Sequence, residues 1–216
     1  MVAEVVRLLI TARDGIYVDA TVGGAGHAVE ILKNLSSGAQ YLGLDADPEA
    51  VVAARERLGA DRRVTIRQAR FSQLSDILQA LGLPSCDGIF ADLGVSSHQL
   101  NEAGRGFSYL SEGPLDMRMD PTRGKSAFEL LQTVDENTLS GILQKYGEER
   151  LARRIARAIL KHRQQQPIRT TRELAGIVES VTPFQKRIKT LSRVFQALRI
   201  AVNEELQELE KFLPAA

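Results

Sequence analysis

Between Ile16 and His27 the chain reads IYVDATVGGAGH, and no other stretch limits the fold so strongly. A short apolar run, Ile16-Tyr17-Val18, ends in Asp19. Gly23, Gly24 and Gly26 then crowd into four positions, and Ala28, Val29, Ile31, Leu32 and Leu35 follow at helical spacing. The pattern reads as strand, glycine turn, helix. Glycines let the backbone bend sharply and let a ligand approach it, and the free N–H groups of a helix start attract anionic or polar groups. A tight turn alone would satisfy the glycines. Asp45 adds weight: it ends the next apolar run, 22 residues beyond Gly23. That is near the spacing at which an acid meets a ribose hydroxyl in dinucleotide-binding folds. A nucleoside-containing cofactor is the first expectation.

The pattern repeats through the first hundred residues. A helix is expected over 2–10, then strands over 16–19, 41–45, 64–67 and 88–91. Asp47-Pro48-Glu49 opens a helix, with Asp47 suited to the N-cap and Pro48 to the first turn. Ser72 is expected to cap a helix from Gln73 to about Leu81, broken by Pro84-Ser85. Strands alternating with helices imply a parallel sheet with right-handed crossovers. Ligands bind at the carboxyl ends of such strands, so Asp19, Asp45, Phe71 and Asp92 should share one edge. For Phe71, core packing and stacking on a purine ring both remain open.

Beyond Asp92 the character changes. Residues 94–124 are rich in Gly, Ser, Asp and Pro with little periodicity, and a stretch so long without regular structure is functional or disordered as a rule. Residues 127–181 read as helical, and 195–213 as one continuous periodic helix. From 101 to 200 there are 18 Lys/Arg against 11 Asp/Glu, whereas the remainder has 10 against 16. The net charge of +1 hides this split, which suggests two parts with different partners. Arg150, Arg153, Arg154, Arg157 and Lys161 recur on one helical face, opposite Leu151, Ile155 and Ile159. A solvated face usually mixes signs; this one does not, and RNA or phosphate contact is expected. Asp116 and Asp120 form either an acid pair or, as preferred, anchors for Arg118 and Arg123. The single cysteine, Cys86, excludes an internal disulfide and fits a reducing compartment. No apolar run is long enough to span a membrane and no leader opens the chain, so a cytoplasmic protein is expected. No Cys/His cluster points to a metal.

Six segments together resemble the MraW/RsmH family: 19–27, DLGVSS from Asp92, RGFS from Arg105, GPLDMRMDPTR from Gly113, YGEER from Tyr146, and FQALRI from Phe195. The resemblance runs the length of the chain. It implies a Rossmann-like α/β sheet, here partial, with an inserted helical domain. It further implies an S-adenosylmethionine-dependent methyltransferase acting on N4 of a cytidine in the decoding region of small-subunit ribosomal RNA, within an assembled or assembling 30S subunit. Carried over position by position, Ala25, Gly26 and His27 match the family's cofactor loop and Asp45 its ribose-binding acid. Phe71, Asp92 and Gln99 match further cofactor contacts. The expected division is residues 1–100 for the cofactor, 101–190 as the RNA-holding insert, and 191–216 as a helix returning to the first part. Asp92 is the expected catalytic residue.

The chain departs from the family pattern at Ala25, where glycine is usual, and at His98, where proline is common. Residues usual before Met1 are missing. The family also continues past Ala216 into a further core strand and an FHSLEDR-like motif, so the chain reads as a fragment. Its fourth strand would carry an unpaired edge, implying low stability or self-association, and a homodimer is admitted. Two rivals stay open: a non-catalytic RNA-binding protein, and a nicotinamide-dependent oxidoreductase sharing the glycine turn and Asp45.

Overall fold

The structure is a computed structural model describing residues 2–83 and 85–216; the break expected at Pro84 lies outside the described residues. The chain divides into two compact units. The first runs to Gly94 and resumes over Leu206–Ala216; the second is Val95–Glu205.

The first unit is built on four strands, β1 (Ile16–Asp19), β2 (Gln40–Asp45), β3 (Val64–Gln68) and β4 (Gly88–Phe90). They form one parallel sheet in the order β3-β2-β1-β4. Side chains alternate between its faces. Tyr17, Tyr41 and Ile66 lie in one core with residues of α1 (Val2–Leu9), α2 (Gly26–Asn34) and α3 (Pro48–Leu58). Val18, Leu42 and Leu44 lie in another with α4 (Leu74–Ala80) and Phe212. β1 pairs in register with β2, Tyr17 beside Tyr41 and Asp19 beside Gly43. A Cβ at Gly43 would stand 2.7 Å from Ile66 Cδ1 and 3.0 Å from Val22 Cγ2, so glycine there lets the turn after β1 pack down on β2. Asp47 caps α3 as expected, accepting the Glu49 N–H at 3.0 Å, with Pro48 in the first turn. Ser72 does not cap. A 3₁₀ turn over Phe71–Gln73 precedes α4, and the Ser72 hydroxyl donates instead to Glu208.

The second unit is helical: α5 (Ser97–Asn101), α6 (Ala127–Thr133), α7 (Glu136–Gly147), α8 (Ala152–Arg163), α9 (Thr171–Ser180) and α10 (Arg187–Asn203). Over 94–124, where little periodicity is expected, only α5 and a 3₁₀ turn at Ala103–Arg105 are regular, yet the stretch packs into this unit. Phe107, Leu115 and Met117 are buried in its core. Met117 takes a left-handed conformation (φ 64°), held because the Asn203 amide donates to Met117 O at 2.8 Å and accepts from Met119 N at 2.7 Å.

Two boundaries differ from those expected. The helix read as continuous over 195–213 is two: α10 stops at Glu204 in the left-handed region (φ 55°), and α11 (Glu205–Phe212) follows. The helix expected to return to the first part belongs mostly to the second unit, because Leu191, Val194, Phe195, Ala197 and Leu198 bury their side chains in the helical core. Only Leu206 onward joins the sheet unit. No helix among the described residues is long and apolar enough to cross a membrane.

Gly147 explains how closely α7 approaches α10. A Cβ there would sit 2.5 Å from the Arg193 carbonyl oxygen, a backbone atom that cannot swing aside. Gly147→Ala should therefore cost about 2 kcal/mol of stability, the usual range for overpacking, seen as a lower denaturant midpoint; an unchanged midpoint would show that the two helices separate freely.

Candidate functional site

Parallel strands bring four chain segments to one edge of the sheet: β1 ends at Asp19, β2 at Asp45, β3 shortly before Phe71, and β4 shortly before Asp92. The turn after β1 is left-handed at Gly23 (φ 51°) and at Ala25 (φ 62°). Ala25 is fully buried in a conformation that favours glycine, a strained arrangement for a side-chain-bearing residue. A Cβ added at Gly24 or Gly26 would meet nothing within 4 Å, so the turn faces open space there.

Asp45 holds this turn. Its carboxylate accepts the Gly23 N–H at 2.9 Å through one oxygen and the Asp47 N–H at 2.9 Å through the other. The Val22 N–H reaches Leu44 O at 2.8 Å beside it. One acid thus positions both the glycine turn and the start of α3. Burial, the largest influence, raises the Asp45 pKa against the lowering effect of these backbone N–H groups. Each oxygen keeps a lone pair for a further donor.

The sequence assigns Asp19 to this edge without a task and Tyr41 to a strand only. The structure pairs them. Asp19 is 1% exposed; it accepts from the Tyr41 hydroxyl at 2.8 Å and from the Thr21 N–H at 3.1 Å. Burial outweighs these bonds and pushes its pKa up to about 6. Their one sequence signal is that each stands in a strand, 22 positions apart.

Asp92 is exposed, and its carboxylate has no protein partner among the described residues. Its N–H donates to Thr21 Oγ1 at 2.7 Å, tying the loop after β4 to the loop after β1. The His27 ring lies 4.9 Å from Phe90 at 54°, beside the same strand end. Phe71 and Phe212 meet in a T-shaped contact at 5.3 Å, so part of the Phe71 ring is committed to packing. That contact is braced by Glu208, which pairs with Arg70 at 3.1 Å.

Gln99 belongs to the second unit and has a structural duty there. Its side-chain oxygen accepts from Ser96 N at 3.0 Å and its N–H donates to Ser96 Oγ at 3.1 Å, closing a capping box at the start of α5. Asp116 forms a two-pronged pair with Arg118 at 2.7 and 2.8 Å, and Asp120 lies 3.7 Å from Arg123. The acids anchor their loop, as preferred.

Arg153, Arg154, Arg157 and Lys161 project from the exposed side of α8, whose Ala152, Ile155, Ala156 and Ile159 are buried. Arg150 is exposed but precedes the helix, because Glu148 leaves α7 through a left-handed turn (φ 50°). The face is not free of acids: Arg157 pairs with Glu136 of α7 at 2.7 Å, a partner supplied by another helix.

Asp19 sets a pH dependence. Its folded pKa of about 6 exceeds the ordinary 3.8, so the folded state holds the proton more tightly. Stability from this group is full below pH 3.8 and is lost as pH rises through 6, to about 3 kcal/mol. In Asp19→Asn, the tyrosine hydroxyl can turn to accept from the new amide. The variant should gain on the parent by about 2 kcal/mol between pH 4 and pH 7 in denaturant melts; a constant offset would mean that Asp19 is ionised at no cost.

Residues 1–216 match the MraW methylase family. Three relatives are each named ribosomal RNA small subunit methyltransferase H. That of Acidithiobacillus ferrooxidans is 52% identical over 200 residues, covering 92% of this chain and 62% of the relative. That of Geotalea uraniireducens is 46% identical over 219 residues, covering 100% and 70%. That of Methylococcus capsulatus is 48% identical over 219 residues, covering 100% and 73%. The chain therefore spans less than two thirds of the first of these proteins.

Proposed function

The chain belongs to the MraW methylase family, and on that premise we propose that it binds S-adenosylmethionine at the carboxyl edge of its sheet and methylates N4 of a cytidine in small-subunit ribosomal RNA. The observation that carries the reading is the left-handed glycine turn held on Asp45 beside the unpartnered Asp92 carboxylate. The residues present suit the cofactor: acids stand at the ends of β1, β2 and β4, the turn opens to space at Gly24 and Gly26, and the ligand is cationic and bears hydroxyls. Asp45 would take the ribose hydroxyls, Ala25, Gly26 and His27 would line the turn side, and Phe71 would offer what its packing on Phe212 leaves free. For Gln99 the cofactor role is proposed from the resemblance alone; its side chain serves the capping box. When bound, the cofactor supplies a methyl group made electrophilic by its sulfonium sulfur.

The chain's own chemistry centres on Asp92. The lone pair of cytosine N4 is delocalised into the ring, which makes it a poor nucleophile. A carboxylate accepting one N4–H bond concentrates charge on that nitrogen and then accepts its proton. Leu93 or Gly94 would offer a carbonyl as second acceptor. The target base must leave any stack to arrive there. Arg150, Arg153, Arg154, Arg157 and Lys161 would hold flanking phosphates, with binding that weakens as salt rises. The assembling or assembled 30S subunit is the proposed partner.

Calorimetric titration with S-adenosylmethionine and NADH tests the cofactor. Heat should appear with the first alone, and Asp45→Ala should weaken it roughly 10- to 100-fold, the worth of hydrogen bonds to a charged group; NADH binding instead would support an oxidoreductase. Asp92→Asn should keep cofactor affinity and lose about 100-fold or more in methyl transfer to small-subunit RNA, the lower end of what positioned proton acceptors contribute. Loss of affinity in that variant would make Asp92 a cofactor-holding residue.

A further inference from the structure

Phe184 and Ile188 are each 76% exposed, among the most exposed large apolar side chains among the described residues. They stand four apart where a 3₁₀ turn over Phe184–Lys186 runs into α10, a spacing that puts side chains on one helical face. Lys186, Arg187 and Lys189 are interleaved with them, and no Asp or Glu stands between Glu179 and Glu204. None of the three cations has an ion pair among the described residues. The Arg187 guanidinium lies over the Phe184 ring, 5.4 Å from its centroid, so one ring face carries positive charge and the other meets solvent. The platform is fixed from beneath. The Thr182 hydroxyl donates to Val178 O at 2.7 Å, Lys186 N donates to Pro183 O at 2.9 Å, and Thr182, Thr190 and Leu191 are buried.

A solvated surface has no need of an exposed phenylalanine among unopposed cations. Protein partners and lipid surfaces would use the apolar pair, but the charge favours a polyanion that also presents flat apolar faces. Unpaired nucleotides do both: bases stack on aromatic rings and phosphates meet Lys and Arg. We propose that Phe184, with Lys186, Arg187 and Lys189, is a stacking site for an unpaired base of RNA, separate in sequence from the basic face of α8. The proposal rests on the reading that the chain acts on RNA, and it adds where a single-stranded segment is held.

The test uses the whole chain with a fluorescein-labelled 12-nucleotide single-stranded RNA, and a duplex of equal length, followed by anisotropy. Phe184→Ala, at an exposed position that should not disturb folding, should raise the single-strand Kd roughly 5- to 150-fold, the range of one base–aromatic stack, and leave the duplex Kd unchanged. Phe184→Trp should restore binding, which a merely structural role would not predict. Lys186→Gln with Lys189→Gln should reduce the salt slope by about 1.4, at ~0.7 per phosphate contact on single strands. Equal single-strand Kd values for parent and Phe184→Ala would overturn the proposal, as would failure of the parent to bind the single strand. A Phe184→Ala variant that altered sedimentation rather than RNA affinity would make the patch a contact between copies, and one that altered only binding to anionic vesicles would make it a lipid contact. Arg153→Glu with Arg154→Glu and the cofactor titration, run in parallel, report on the underlying reading: RNA binding lost there but untouched at Phe184 removes the stacking site alone.

Discussion

Two backbone N–H groups, one from the glycine turn and one from the start of α3, converge on the carboxylate of Asp45. The candidate site's geometry depends on that convergence. With the Gly23 amide pinned to β2, the turn passes over Gly43, where any side chain would obstruct Val22 and Ile66. Ala25 must then take the left-handed conformation it would otherwise avoid. The carboxylate is partly desolvated and its pKa rises, so the hold has an electrostatic cost. Asp19, one strand over, carries a cost of the same kind, buried with its carboxylate bonded to Tyr41. A cationic ligand at this edge would offset both costs, since an opposite charge nearby favours the ionised carboxylate.

The helical unit uses a different device. Its long loop is fixed by backbone partners rather than by regular structure: Asn203 clamps Met117 and Met119, Arg105 donates to the carbonyls of Arg118 and Met119, and Leu115 N reaches Arg169 O. These satisfy polar groups that would otherwise be buried without partners, and they let Phe107, Leu115 and Met117 enter the core. Within the GPLDMRMD segment, Leu115 and Met117 thus serve the packing of this unit.

What the sequence made legible was what local chemistry signals. The strands, the glycine turn and the Asp47 cap stand within a residue or two of expectation because alternation, glycine and Asx–Pro are short-range signals. The break at Glu204 was invisible: apolar periodicity continues on both sides and no Gly or Pro marks it, while the side chain that secures the helix end, Asn203, finds its partners far earlier in the chain. Phe71 was recognised at its strand end, but not its contact with Phe212, which depends on where the last helix returns. Arg157 looked unopposed because its acid, Glu136, lies on another helix. Long-range pairings of this kind leave no local trace.

The charge of the helical unit follows from how its acids are employed. Val95–Glu205 holds 18 Lys/Arg against 13 Asp/Glu, a modest excess by count. Glu129, Asp135 and Glu173 cap helices, and hydrogen bonds to backbone and hydroxyl donors lower the pKa of each. Asp116, Glu136 and Glu205 are paired with Arg118, Arg157 and Arg199. Acids fixed in caps and close pairs cannot move to screen other cations. Arg150, Arg153, Arg154, Lys161, Lys186 and Lys189 have no ion pair among the described residues, so no acid neutralises them at close range. A polyanion meeting these cations would displace mobile counterions from them, the condition under which counterion release drives association.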